Sequence, residues 1–145
     1  MGYAAARKNG AASGKRSGLE VALQKVLDEA EIKSFYERKK FSYTQPEQKR
    51  WYLADFEIDK TSIILEAKGR LTSADRKKMI LLQEQHPKTT FIMVFGKPYN
   101  KLSKASKTTY ADWCDKQKIL WLDIEVLKEN PKFLSTTIKK LKRGS

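Results

Sequence analysis

The sequence predicts an α/β fold in which helices flank a mixed β-sheet. Three features indicate this class: two amphipathic helical stripes, two adjoining strand-like runs, and a short, wholly apolar run typical of the middle of a sheet. The 145 residues suffice for one domain with a core, and a hydrophobic content of 40% argues against global disorder. We expect the element order αβββαβαβ without internal repeats.

The first helix is predicted from about Gly18 to Glu31. Ser17 and Glu20 have the S-x-x-E spacing of a capping box, in which each side chain accepts a hydrogen bond from the backbone N–H of the other residue. Apolar residues then recur at helical spacing. This local role accounts for the presence of Glu20 without any function.

The remaining elements follow from similar signals. The second helix is predicted to start at Ser73, a candidate N-cap, and to stop at Pro87. Then come the apolar strand TTFIMVF and the loop KPYNKLSKASK (residues 97–107), which has four lysines and no acid. A helix around TYADWCDKQ, a short strand ILWLD and a basic C-terminal segment complete the chain.

Charge sets the expected partner. Thirty Lys and Arg residues against 17 Asp and Glu give a formal charge of +13, which favours nucleic acid over an acidic membrane surface, with a merely solubilising basic surface as the alternative. No apolar stretch reaches the roughly 18 to 20 residues that span a bilayer. The single cysteine, Cys114, excludes an intramolecular disulfide, fits a reducing cytoplasm, and is interpreted as a core residue.

We expect two parts along the chain. Residues 1–15 contain no acid and lack the apolar region of a secretory signal, so they are predicted to form a flexible basic arm. Residues 16–145 are predicted to form a single domain.

The runs WYLADFEID and TSIILEAKG are separated by one residue and predict a β-hairpin. If its loop is centred on Lys60 and Thr61, the numbers of opposed residues sum to 121, and Asp55 faces Glu66. Opposed like charges destabilise a sheet, because their Cβ atoms lie only about 4.5 to 5.5 Å apart. A divalent cation such as Mg²⁺ would remove that cost.

Lys68 lies on the same strand face as Glu66, since side chains alternate with a period of two. Hydrolysis of a phosphodiester requires an activated water and stabilisation of the charge on the phosphoryl oxygens. A metal and a lysine together can supply both. The alternative is an ordinary ion pair of Glu66 and Lys68 on a solvated face, with Asp55 merely ending a strand.

Asp55 followed by LEAK resembles the PD-(D/E)xK nuclease motif, although Ala54 replaces the usual proline. The blocks RSGLE and ADRKKMILLQEQHP, and the order of everything between them, resemble the phage endonuclease I family, the four-way (Holliday) junction resolvases of T-odd bacteriophages. The likeness runs from Arg16 to about Cys114.

This resemblance implies a restriction-endonuclease-like fold, Mg²⁺ or Mn²⁺ as cofactor, branched double-stranded DNA as substrate, and the cytoplasm of an infected bacterium as location. It also implies an intertwined homodimer with residues 43–50, YTQPEQKR, as a bridge. Each active site would take Glu20 from one chain and the other catalytic residues from its partner. The implied catalytic residues are Glu20, Asp55, Glu66 and Lys68, of which Asp55, Glu66 and Glu20 are the implied metal ligands.

Recognition of a junction should depend on shape and phosphates, so basic residues are the candidate DNA contacts. We interpret His86 as structural, and Trp51, Trp113 and Trp121 as core residues. The candidates for DNA binding are Arg7, Lys8, Lys15 and Arg16 near the N-terminus, Arg76, Lys77 and Lys78 in the second helix, and Lys97, Lys101, Lys104 and Lys107 in the lysine loop.

The sequence is also compatible with two alternative functions. One is a restriction-type or homing-type nuclease of the same fold that reads DNA sequence. The other is a non-catalytic basic DNA-binding protein whose charges merely pair.

Overall fold

A computed structural model describes residues 16–45 and 48–144. The predicted arm, residues 1–15, and two residues of the predicted bridge, 46 and 47, lie outside the described residues. The elements in chain order are α1 (Gly18–Glu29), β1 (Ser34–Tyr36), β2 (Lys40–Gln45), β3 (Gln48–Leu53), β4 (Phe56–Ile58), β5 (Ile63–Lys68), α2 (Ser73–Gln85), β6 (Thr90–Phe95), α3 (Tyr110–Gln117), β7 (Leu120–Asp123), α4 (Ile124–Glu129) and α5 (Lys132–Gly144).

Five strands form one mixed sheet in the order β1-β4-β5-β6-β7. The pairs β1–β4 and β4–β5 are antiparallel, whereas β5–β6 and β6–β7 are parallel. In the β4–β5 hairpin, Phe56 pairs with Leu65 and Glu57 pairs with Ile64, so the residue numbers sum to 121 as predicted. The predicted mixed sheet and the hairpin register are both confirmed.

The run WYLADFEID, which was predicted as a single strand, is broken at Ala54 and Asp55. The segment before it is also broken, around Glu37, which has a left-handed φ of 47°. The breaks face each other, since Glu37 N–H donates to the Asp55 carbonyl (3.0 Å) and Ala54 N–H donates to the Lys39 carbonyl (2.9 Å). As a result β2 and β3 leave the main sheet as a separate hairpin.

The core has two parts, one on each face of the sheet. Ile64 and Met93 pack with α2, α3 and the β2–β3 hairpin on one face. Leu65 and Ile92 pack with α1, α4 and α5 on the other face. These alternating positions on neighbouring strands bury both faces, which explains why the central strands are continuous apolar runs.

Helix α1 begins as predicted. The Ser17 side chain accepts from Glu20 N–H (3.0 Å), and the Glu20 carboxylate accepts from Ser17 N–H (3.1 Å). The helix ends at Glu29, two residues before the predicted end, because the chain turns at Glu31, whose φ is 56°.

Helix α2 corrects one prediction. Its N-cap is Thr72 and not Ser73, because Asp75 stands three residues after Thr72 and completes a capping box with it. Helix α3 has a capping box of the same type, formed by Thr109 and Asp112. Both helices therefore begin with the same threonine and aspartate pair.

The predicted core residues have mixed outcomes. Cys114 is fully buried, and burial raises the pKa of its thiol to about 12. Trp113 is also buried, but the prediction for Trp51 is wrong: it is 47% exposed on β3, where the first four residues are all exposed and only Tyr52 is buried. The His86 ring contacts a backbone carbonyl of β2, which confirms a structural role. Within the described ranges, no helix has the length and apolar character needed to cross a membrane.

Candidate active site

The site lies at the carboxyl end of β5, where the antiparallel part of the sheet stops. Among the residues described by the structure, three charged side chains are buried: Glu20, Asp55 and Glu66. These are the three metal ligands implied by the sequence resemblance. Burial of an ionised carboxylate is costly without hydrogen bonds or an opposite charge, so the partners of each carboxylate determine what the site can do.

Asp55 occupies the break between β3 and β4 and is fully buried. Its Oδ2 accepts a hydrogen bond from the Ala67 N–H of β5 (2.9 Å). The β4–β5 pairing begins one residue after Asp55, at Phe56. The carboxylate is thus fixed against the strand that carries Glu66 and Lys68, as the hairpin register predicts.

Glu20 divides its two carboxylate oxygens between two roles. Oε1 caps α1, and Oε2 accepts from the Tyr36 hydroxyl (3.0 Å). Burial, followed by hydrogen bonds to Glu37 and Glu20, raises the pKa of Tyr36 above its ordinary value, so its hydroxyl remains a donor. The cap and the Tyr36 hydrogen bond of Glu20 are therefore compatible, because they use different oxygens.

Glu37 is a site residue that the sequence reasoning missed. One carboxylate oxygen from each of Glu20, Glu37 and Asp55 lies within 4.8 Å of the other two. Such a set of hard oxygen donors suits Mg²⁺ or Mn²⁺. The signal for Glu37 was weak in the sequence, because its position depends on a left-handed turn between two strands.

Glu66 lies outside this group of three. Its Oε1 accepts from the Tyr52 hydroxyl (2.5 Å), and its Oε2 is 3.8 Å from Lys68 Nζ. Glu66 and Lys68 thus lie side by side as predicted, but they are largely buried and not on a solvated face, since the Lys68 side chain is only 14% exposed. This burial does not fit the alternative of an ordinary Glu66–Lys68 ion pair on a solvated sheet face.

Asp75 is a second residue that the sequence reasoning missed. Its Oδ1 accepts from Lys68 Nζ at 3.0 Å, closer than Glu66. Burial acts to raise the pKa of Asp75, but the charge and hydrogen bond of Lys68, with hydrogen bonds from Thr72, outweigh burial and lower the pKa. The sequence signal was available, since Asp75 follows Thr72 at capping-box spacing.

The predicted DNA-binding residues differ in their contacts and exposure. The Arg16 guanidinium stacks on Tyr36, 3.6 Å from the ring centroid, and Arg76 donates to the Leu71 carbonyl (2.9 Å). A cavity of about 340 Å³, lined by Arg70, Arg76 and Ser103 among others, joins the start of α2 to the lysine loop. Of the other candidates, Lys77, Lys97, Lys101, Lys104 and Lys107 are exposed, Lys78 lies 5.4 Å from the Tyr52 ring centroid, and Arg7, Lys8 and Lys15 fall outside the described residues.

Comparison with known proteins places this arrangement in a family. The family model described as Phage endonuclease I matches residues 1–145. The chain belongs to the phage endonuclease I family. As a family member it is 42% identical over 108 residues to Endodeoxyribonuclease 1 of Enterobacteria phage T3, which covers 74% of this chain and 70% of that protein. It is 40% identical over 108 residues to Endonuclease I of Escherichia phage T7, with 74% and 72% covered. The resemblance inferred from the sequence is confirmed.

Proposed function

We propose that this phage endonuclease I family member is a metal-dependent, structure-selective endodeoxyribonuclease that resolves four-way and other branched DNA junctions by phosphodiester hydrolysis. The observation that carries the proposal is the burial of Glu20, Asp55 and Glu66 at the end of the strand that carries Lys68. The names of the two phage relatives, both endonucleases, and the +13 charge support a DNA substrate.

The donor set fits Mg²⁺ or Mn²⁺. Glu20, Glu37 and Asp55 each bring a carboxylate oxygen within 4.8 Å of the other two, so these three would hold the ion. We propose that Glu66, the remaining ligand implied by the sequence resemblance, joins them when the ion binds. When bound, a divalent ion supplies a water of lowered pKa and neutralises charge on the phosphoryl oxygens.

The protein side chains would position the reacting groups. Tyr36 and Tyr52 donate hydrogen bonds that fix the carboxylates of Glu20 and Glu66. Lys68 points its ammonium between Glu66 and Asp75, where it can contact a phosphoryl oxygen or orient the attacking water. Because Asp55 and Glu66 are fully buried, these electrostatic interactions act in a site of low dielectric constant and are stronger than in water.

The rest of the chain would bind and orient the DNA. The cavity between α2 and the lysine loop offers Arg70 and Arg76 to the phosphate backbone, and we assign the exposed lysines of that loop the same role. The mixed sheet with the site at the end of a central strand supports a restriction-endonuclease-like fold for residues 16–145. We propose that residues 1–15 act as an additional basic arm.

We also propose an intertwined homodimer with composite active sites. In a single chain α1 brings Glu20 to Asp55, and residues 46 and 47 join the paired strands β2 and β3 along the sequence. If this connection opens into an extended bridge, residues before it can make the same contacts with a second chain, as in domain swapping. Residues 43–50 would then span the two halves of the dimer.

Complementation tests the composite site. Chains carrying Glu20→Gln and chains carrying Glu66→Gln are unfolded together, refolded, and assayed on a four-way junction. In an exchanged heterodimer one site receives both substitutions and the other receives neither, so activity returns. Activity that stays at the level of the separate variants would contradict exchange, and a species of only 16.7 kDa in sedimentation at micromolar concentration would contradict the dimer.

Substrate choice tests the proposed reaction. Immobile four-way junctions with unrelated arm sequences are compared with linear duplexes of the same sequences, in Mg²⁺ and in EDTA. Cleavage of every junction in Mg²⁺, with little cleavage of the duplexes, is the expected result. Dependence on one arm sequence would favour the sequence-reading nuclease, and binding without cleavage would favour the non-catalytic protein.

A further inference from the structure

The two oxygens of the Asp75 carboxylate contact different elements: Oδ2 contacts the cap of α2, and Oδ1 contacts strand β5. Oδ2 completes the capping box, accepting from Thr72 N–H (3.0 Å) and from the Thr72 hydroxyl (2.8 Å). Oδ1 accepts from Lys68 Nζ (3.0 Å). A single carboxylate thus joins the start of α2 to the end of β5.

This contact is the shorter of two that hold the Lys68 ammonium. Glu66 Oε2 lies 3.8 Å from the same nitrogen, and Glu66 also accepts from Tyr52. The side chains of Lys68 and Asp75 are only 14% and 18% exposed, so a flexible lysine is confined on its protein side by two carboxylates. Charge-assisted hydrogen bonds of this length are among the stronger ones in proteins.

We propose that Asp75 is a positioning residue that holds the Lys68 ammonium in place for the reacting phosphate. The inference rests on the proposed function, because it assumes that Lys68 takes part in DNA cleavage. Asp75 itself would touch neither the metal nor the DNA. Asp75 would affect the cleavage rate by holding the Lys68 ammonium, and the capping box with Thr72 would hold the Asp75 carboxylate.

Helix α3 provides a matched control within the same chain. Asp112 forms the same capping box with Thr109, with hydrogen bonds of 3.1 and 3.0 Å. Asp112 is exposed, and in the part of the chain that the structure describes it forms no ion pair within 4.0 Å. Asp75→Asn and Asp112→Asn therefore alter the same type of cap, but only the first alters the support of Lys68.

The experiment compares kcat and KM for junction cleavage in Mg²⁺, with thermal unfolding as a check on folding. We expect Asp75→Asn to lower kcat by about 10-fold to 100-fold, by analogy with the loss seen when a group that orients a metal ligand is removed. KM should stay the same or fall, because removing an acid from a basic face by charge alone favours DNA binding. Asp112→Asn should leave both constants unchanged, and Asp75→Glu should recover part of the lost kcat.

A second comparison separates positioning from general damage. In a Lys68→Ala background, Asp75→Asn should cause no further loss, because residues that act as a unit are not additive. A full additional loss in that background would overturn the proposal. An unchanged kcat in Asp75→Asn would also overturn it, as would an increased kcat, which would mean that Asp75 competes with the phosphate for Lys68. If Lys68→Ala itself cuts at the wild-type rate, the proposed function fails first, and the two failures are distinguishable.

Discussion

Helices α2 and α3 begin with the same local structure but differ in what that structure contacts. Thr72 with Asp75 and Thr109 with Asp112 form equivalent capping boxes. The Asp112 carboxylate is exposed, whereas Asp75 reaches Lys68 of β5. The difference shows that a capping residue gains a second role from its tertiary neighbours, while its local sequence stays the same.

Helix α1 has a third capping box, and its acid, like Asp75, also contacts residues of the candidate site. Glu20 caps α1 with one oxygen and meets Tyr36, Glu37 and Asp55 with its carboxylate. Of the three described acids that complete capping boxes, Glu20 and Asp75 thus belong to the candidate site, one on each face of the sheet. Substitutions at the three positions should separate capping from function.

Among the acids of the capping boxes, the largest difference should separate Glu20 from Asp112. We expect Glu20→Gln to lower the single-turnover rate of junction cleavage by at least about 100-fold, because loss of a ligand should exceed the 10-fold to 100-fold loss typical of groups that orient ligands. Asp112→Asn should cleave at the wild-type rate. Equal rates for the two variants would reduce Glu20 to a capping residue.

The next difference concerns the hydrogen bond from Tyr36 that orients the Glu20 carboxylate. Tyr36→Phe removes the hydroxyl that donates to Glu20 Oε2 but keeps the ring under Arg16. We expect the Mg²⁺ concentration for half-maximal cleavage to rise by about 10-fold or more. Tyr99→Phe is the control, since Tyr99 is 67% exposed on the lysine loop. If both variants have the same Mg²⁺ requirement, Tyr36 does not orient a ligand.

A smaller effect should appear when the caps themselves are weakened. Thr72→Ala and Thr109→Ala should each lower the free energy of unfolding by about 1 kcal/mol, as measured by urea denaturation. Only Thr72→Ala should also lower kcat, because only Thr72 holds an acid that contacts Lys68. A matching loss of kcat in Thr109→Ala would mean that reduced stability alone explains it.

The smallest effect should be the dependence of stability on acid pH. The pKa values of Asp75 and Asp112 are lowered in the folded chain, so each carboxylate stabilises the fold above its ordinary pKa of 3.8 and loses that contribution as pH falls through its lowered value. The stability difference between wild type and Asp75→Asn should therefore be larger at pH 7 than below pH 3. A difference that grows on acidification would contradict this sign.

Much of this arrangement could be predicted from residue patterns. The hairpin register that places Asp55 near Glu66 followed from the two strand runs, and the Ser17 cap followed from its spacing to Glu20. The continuous apolar run after Thr90 could also identify β6 as a central strand. These features depend on neighbours in sequence or on a single hairpin.

The missed features depend on contacts between distant segments. Glu37 reaches the site only because two strand breaks face each other. The alternation of apolar and polar residues continues on both sides of such a break, so the sequence pattern does not reveal it. Asp75 meets Lys68 only after α2 packs onto the sheet. Trp51 is exposed because β3 belongs to a separate hairpin, which hydrophobicity alone does not reveal.

Asp55 provides the most direct test of a metal-dependent active site. The measurement is the single-turnover rate of four-way junction cleavage in Mg²⁺ and in EDTA, for wild type, Asp55→Asn and the control Asp59→Asn. Asp59 directly follows the last residue of β4, and its Oδ2 lies 3.9 Å from the Lys33 Nζ. We predict that EDTA abolishes wild-type cleavage, that Asp55→Asn loses at least about 1,000-fold because metal catalysis contributes several kcal/mol, and that Asp59→Asn cuts normally. Cleavage by Asp55→Asn at the wild-type rate, or undiminished cleavage in EDTA, would contradict the account.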